Sequence, residues 1–255
     1  MNMNAHFCWG LAMWGSANLA RENHNYLVAC FGYYYSAKKS RIFCKPFVEG
    51  KDLESYRIKR LRYLEWDTDR VPSKIARQTF PELYLPPKII RGRMNPGVYD
   101  SKETVCSANA IVIKLLHDLE GIDNRSIQNF LKKHDKNRRD LQELSKDFDL
   151  KYLLSILNSR YGFYYLNNIR RHKQKNYFYP DDLKKLPIRK VSLEGQKPFV
   201  DIVDRILTIT KDDDYLQNPD KQAQVKEYER QIDQMVYELY DLTEEEIRIV
   251  EGEAK

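Results

Sequence analysis

Apolar and polar positions alternate from Phe43 to Leu64, a stretch rich in β-branched and aromatic residues and broken at Glu49-Gly50-Lys51-Asp52. A period of two interrupted by a turn signal predicts paired strand segments. Leu85-Pro86-Pro87 ends the irregular stretch that follows, and Lys88 to Arg93 then reads as a short strand with basic residues at both ends. Asn95-Pro96-Gly97 reads as a turn, and Val105 to Leu116 as a further apolar strand. The first 116 residues are therefore expected to be mainly β, with loops long enough to carry function.

The period then changes. Leu150, Leu153, Leu154, Leu157, Tyr161, Tyr164 and Tyr165 recur at helical spacing, which predicts a helical insert at about 149–169. Phe199, Val203, Ile206 and Leu207 form a second stripe, and Val225, Tyr228, Ile232, Met235, Val236 and Leu239 a third, on a helix starting near Pro219-Asp220. Thr243 ahead of Glu244, Glu245 and Glu246 is an N-cap with acids in the first turn, where free backbone N–H groups and the helix dipole favour negative charge. These stripes read as packing faces. The expected fold class is α+β, a mainly β domain followed by C-terminal helices.

Charge sharpens the division. The chain's net charge is +6, but residues 1–190 hold 35 Lys and Arg against 20 Asp and Glu, and residues 191–255 hold 8 against 17. This asymmetry suits a polyanion-binding body over 1–190 and an acidic helical segment over 191–255 that packs on it or on a partner. No apolar run approaches the roughly 18 to 20 residues of a membrane span, and Cys8, Cys30, Cys44 and Cys106 stand far apart without metal-ligand spacing. The expected setting is reducing and cytoplasmic, with no membrane contact and no metal.

Catalytic patterns are missing. The ten glycines include no G-x-G loop for a cofactor, and Leu85-Pro86-Pro87-Lys88 lacks the polar residue and the aromatic that an amino-directed DNA methyltransferase sets around its two prolines. Glu49-Gly50-Lys51 and Asp100-Ser101-Lys102 match a nuclease acid-x-Lys triplet without a Pro-Asp upstream; Pro219-Asp220 with Glu253-Ala254-Lys255 matches on a helix start and a chain terminus. His6, His24, His117, His134 and His172 include no H-E-x-x-H pair. No catalytic residue is expected.

Lys45-Pro46-Phe47-Val48-Glu49-Gly50-Lys51-Asp52-Leu53 with Tyr56-Arg57-Ile58 resembles the TaqI-like C-terminal specificity domain. That domain is the target-recognition half of adenine-specific DNA methyltransferases and of fused restriction-modification enzymes. Further matching segments follow in order: Pro87 to Arg91, Tyr99-Asp100, Tyr152-Leu153-Leu154 with Leu157-Asn158-Ser159, Leu186-Pro187-Ile188, Ile232 to Tyr240, and Leu242 to Ile247. Trp9-Gly10-Leu11 through Gly15-Ser16-Ala17-Asn18 resembles the family's opening turn but has Met13-Trp14 where Lys or Thr is expected. The resemblance implies sequence-specific recognition of double-stranded DNA, as the specificity part of a restriction-modification adenine-N6 methyltransferase. It places the catalytic domain elsewhere, so the chain is expected to be a separate specificity subunit, a truncated gene or an excised domain. The implied partners are duplex DNA and a methyltransferase domain or subunit; S-adenosylmethionine would bind that domain, and no cofactor is expected in this chain.

Phosphate contacts set affinity and register, whereas base edges set sequence preference. Arg91 and Arg93 have the i, i+2 spacing that points two strand side chains the same way, and a guanidinium pairs bidentately with guanine O6 and N7. They are the expected base readers, with Asn95 for adenine. Lys45, Lys51, Arg57, Lys59, Arg60, Arg62 and Lys88 are assigned to phosphates, together with Arg170, Arg171 and Lys173 after the Tyr-rich helix. Two rival readings remain: a structural or interaction protein held to its partner by the C-terminal helices, and an RNA-binding module stacking bases on some of the 18 tyrosines.

Overall fold

A computed structural model describes residues 12–15, 35–69, 80–107, 109–170 and 177–253. The chain divides into two compact units, Ala12–Gln142 and the part from Glu143 onward. The boundary expected near Lys190 thus falls some fifty residues earlier, and the strands all lie on one side of it. Among the described residues no helix is long and apolar enough to cross a membrane.

The first unit is built on strands β1 (Ala12–Gly15), β2 (Tyr35–Ser36), β3 (Phe43–Val48), β4 (Leu53–Glu54), β5 (Arg57–Ile58), β6 (Arg62–Glu65), β7 (Lys88–Gly92), β8 (Gly97–Asp100), β9 (Val105–Cys106) and β10 (Ala110–Leu115). One antiparallel sheet has the order β1-β10-β7-β8, a second has β2-β6-β3-β9 with β9 parallel to β3, and β4 and β5 form a small hairpin. Strand β7 is central and buried along its whole length, facing Val98 and Val112 across Ile90. Phe47, Val48, Leu64, Ile90, Val98, Val105 and Val112 from both sheets share one core, which also takes in Ile127, Phe130 and Leu141 from the helices α1 (Arg125–Leu131) and α2 (Arg138–Ser145). Among the described residues of the first 116, strands are the main regular elements, and β-branched residues on these short segments pack well on a pleated, buried surface.

Two ion pairs hold this unit from inside. Lys88 and Asp100 face each other across β7 and β8, with Nζ 2.5 Å from Oδ2 and side chains 0% and 4% exposed. Nζ also donates to the Lys102 carbonyl, and the Asp100 carboxylate accepts from the backbone N–H and hydroxyl of Thr104. The turn that leads into β9 is thereby fastened to the end of β8. In the second pair Arg62 donates to both Asp52 oxygens, at 2.6 and 2.7 Å, while Asp52 accepts from the Glu49 N–H.

The second unit is helical: α3 (Leu150–Asn158), α4 (Arg160–Ile169), α5 (Pro180–Leu183), α6 (Leu193–Thr210), α7 (Pro219–Leu239) and α8 (Glu244–Glu251). The cap at Thr243 and the helix start near Pro219 are those the sequence predicts. Asn218 caps α7 with Pro219 in its first turn, and Thr243 and Glu246 exchange capping hydrogen bonds at the start of α8. Ser159 caps α4 against the Gly162 N–H, where a Cβ would lie 2.1 Å from the Ile156 carbonyl oxygen, so only glycine lets α4 fold back this tightly on α3. Leu154, Ile156, Phe199, Val203, Ile206, Val225, Ile232 and Val236 are all buried, and α3 and α7 both pack on α6. Buried Gln196 stitches the α3 and α6 entries together, donating to the Asp147 and Val191 carbonyls and accepting from the Asp149 N–H. The insert at 149–169 therefore belongs with the acidic C-terminal helices, which use their apolar stripes to build a common core.

Lys88→Met leaves the Asp100 carboxylate buried without its cation and should lower stability by about 3 to 5 kcal/mol in urea denaturation. Lys45→Met, whose partner Glu103 is exposed, should cost under about 1 kcal/mol. Ile232→Asp places a charge in the helical core and should lower the melting temperature by more than about 5 °C; if it shifted only the sedimentation coefficient, the stripe would be an assembly surface.

Candidate nucleic-acid interface

Three loops of the β-rich unit interlock through their backbones. A Cβ at Gly50 would stand 2.4 Å from the Asn109 carbonyl oxygen, and one at Gly92 would stand 2.8 Å from the Gly50 carbonyl oxygen and 2.7 Å from the Asn95 Cβ. The Arg93 N–H donates to the Asn109 carbonyl at 3.0 Å, and the Tyr56 N–H donates to the Gly97 carbonyl at 3.1 Å. Glycine is required at 50 and 92 because backbone meets backbone with no room for a side chain. The segments 49–53 and 92–97 and the residue Asn109 are thus held in one arrangement, with Lys51, Met94 and Asn109 exposed at its edge.

Of the three expected base readers, Arg93 and Asn95 sit in this loop cluster and are half-buried. The Asn95 amide donates a long hydrogen bond, 3.4 Å, to the Leu53 carbonyl. Arg91 is elsewhere. Its side chain lies within the sheet unit, 1% exposed, opposite Gly97 and Ile111, and burial pulls its pKa down to about 10. The i, i+2 rule holds only within a strand, and Arg93 lies beyond the end of β7 at Gly92.

The expected phosphate contacts divide by their partners. Arg62 and Lys88 are buried in the two internal ion pairs. Lys45 is 2.7 Å from Glu103 and stands over the Trp66 ring; Lys51 is 2.8 Å from Glu49; Arg57 and Lys59 are each 3.2 Å from Glu54. Burial raises the pKa of Glu49, but the hydrogen bond from Lys51 and the Arg62 charge outweigh it and hold the carboxyl below its ordinary value. Arg60 is exposed and has no ion pair among the described residues. Arg170 is half-buried at the C-cap of α4 in the helical unit, while Arg171 and Lys173 lie outside the described residues.

Sequence reasoning passed over Lys38, Lys39 and Arg41, which are exposed just before β3 and have no ion pair among the described residues. Their signal was available as a short basic run ahead of an alternating segment. Counted by unit, residues 12–142 hold 24 Lys and Arg against 15 Asp and Glu, a net of +9, and residues 143–255 hold 19 against 22, a net of −3. Among the described residues no three His, Cys, Asp or Glu side chains are grouped to hold a metal ion. No family model matches the chain, and neither does any curated protein.

Proposed function

We propose that this chain recognises double-stranded DNA with sequence preference, and that a methyltransferase domain or subunit using S-adenosylmethionine acts on the DNA it selects. The observation that carries this reading is the locked loop cluster of the positively charged β-rich unit, where Arg93 and Asn95 are presented next to exposed Lys51. Discrimination between base pairs needs donors and acceptors held in a fixed geometry, because a freely moving guanidinium pairs with phosphate as readily as with guanine. The interlocked backbones at Gly50, Gly92 and Asn109 supply that rigidity. Base reading is assigned to Arg93 and Asn95, and Arg91 is reassigned to the interior of the fold. The helical-interaction alternative rests on a stripe of which Val225, Ile232 and Val236 are buried within the helical unit and Tyr228, Met235 and Leu239 are half-buried.

Selection of bound duplexes from a random pool, followed by titration against the selected and a scrambled duplex, tests the reading. Arg93→Ala and Asn95→Ala should each weaken binding to the selected site by roughly 1 to 3 kcal/mol and leave the scrambled duplex nearly unaffected. Arg91→Ala should lower the melting temperature, by loss of a large buried side chain, without changing the ratio of the two affinities. Equal loss on both duplexes for the Arg93 variant would make it a phosphate contact. Failure of the wild type to prefer any duplex, with or without a co-purified methyltransferase, or a preference for single-stranded RNA, would overturn the proposal.

A further inference from the structure

The strongest uncompensated charge among the described residues lies outside the loop cluster, on α1 and the turn that follows it. Arg125, Lys132, Lys133, Lys136 and Arg139 are all exposed, and none has an ion pair among the described residues. This sets them apart from Lys45, Lys51, Arg57 and Lys59, each of which already has a carboxylate. A cation with a carboxylate partner must give it up to bind phosphate, and part of the gain is lost in the exchange. A solvated cation exchanges only water and counterions, and release of condensed counterions from the nucleic acid drives the association.

The backbone that carries these side chains is itself fixed by a cap and by core contacts. Asn124 caps α1, accepting from the Ser126 and Ile127 N–H groups at 3.0 and 3.1 Å, and Ile127 and Phe130 anchor the inner face of the helix in the core. The Lys133 and His134 N–H groups bond the Phe130 and Leu131 carbonyls, and the His134 ring lies 4.6 Å from that of Phe130. Arg138 points inward, donating to the Leu119 and Ile122 carbonyls at 2.9 and 2.8 Å, and so pins the start of α2. Acidic neighbours are few: Asp123 is engaged by Gln128, Asp140 by Asn137, and Asp135 stands in the turn itself. From Arg125 to Lys132 the exposed face spans about 10 Å at 1.5 Å per residue, a length that covers about three successive phosphates of one strand.

We infer that the 125–139 helix and turn form a phosphate-binding face that grips the backbone of duplex DNA independently of its sequence. The inference rests on the duplex-recognition reading above, and it assigns affinity to this face while leaving preference to the loop cluster.

The test uses the full chain. Lys132→Gln, Lys133→Gln, Lys136→Gln and Arg139→Gln are combined in one variant, and a second variant carries Lys132→Arg, Lys133→Arg and Lys136→Arg. Both are titrated with the selected and the scrambled duplex at several salt concentrations. In the neutralised variant the slope of log K against log salt should become shallower by about 3 to 4 units, at roughly 0.9 per phosphate contact. Affinity for both duplexes should fall by the same factor, so that the selected-to-scrambled ratio stays within twofold of wild type. The arginine variant should keep the wild-type slope, which separates lost charge from lost fold. An unchanged slope in the neutralised variant, with wild type still binding the selected duplex, overturns this inference and leaves the recognition reading standing. Wild type that binds no duplex overturns both, and so does wild type that prefers vesicles of anionic phospholipid over DNA.

Discussion

The ammonium of Lys88 lies in a place that water does not reach, and the β-rich unit is arranged so that it is never without Asp100. Burial lowers the Lys88 pKa and Asp100 opposes that shift, so the pair is stable as ions only while the strands stay in register. The same carboxylate binds Thr104 and so fixes the turn that delivers β9 to the edge of β3. One electrostatic contact therefore ties the two larger sheets together. Arg62 and Asp52 form the second buried pair at that same end of β3, where Phe47 stands between Arg62 of β6 and Val105 of β9, and Arg62 also lies against the Tyr35 and Phe47 rings.

Charge used in this way is withdrawn from the surface. Arg62, Lys88 and Arg91 serve the fold, and four more cations of the unit lean on carboxylates of their own. Among the described residues of this unit, the exposed cations without a carboxylate are chiefly those from Lys38 to Arg41, Arg60 and the face running from Arg125 to Arg139. On the proposed duplex-recognition reading, affinity and sequence discrimination would fall to different parts of one compact unit, uncompensated cations for the first and the interlocked loops for the second.

The helical unit contributes order of another kind. Its helices start on side-chain caps and meet through Leu, Ile, Val and Phe stripes, with Gln196 and Asp233 satisfying backbone groups at the helix entries. Burial raises the pKa of Asp233, while its bond from the Arg160 N–H favours the charged form. The acidity noted over 191–255 is diluted once residues 143–190 are counted with it, and the unit as a whole is close to neutral.

What the sequence by itself determined is local: the strand-rich first part, the three helical stripes, the helix start near Pro219, the cap at Thr243, and the glycine-bearing turn at Gly50. Each rests on contacts between residues a few positions apart, so periodicity and capping residues are enough to reveal it. Only the tertiary structure decided which cations are free. The partner of Lys88 is twelve residues away, that of Lys45 fifty-eight, and the burial of Arg91 depends on what packs against a strand whose own sequence is silent on it. The same holds for the boundary at Gln142, which follows from α3 and α4 packing on helices that begin at Leu193. A run such as Lys132-Lys133-His134-Asp135-Lys136 reads as ordinary solvated charge until the carboxylates elsewhere in the unit are seen to be taken.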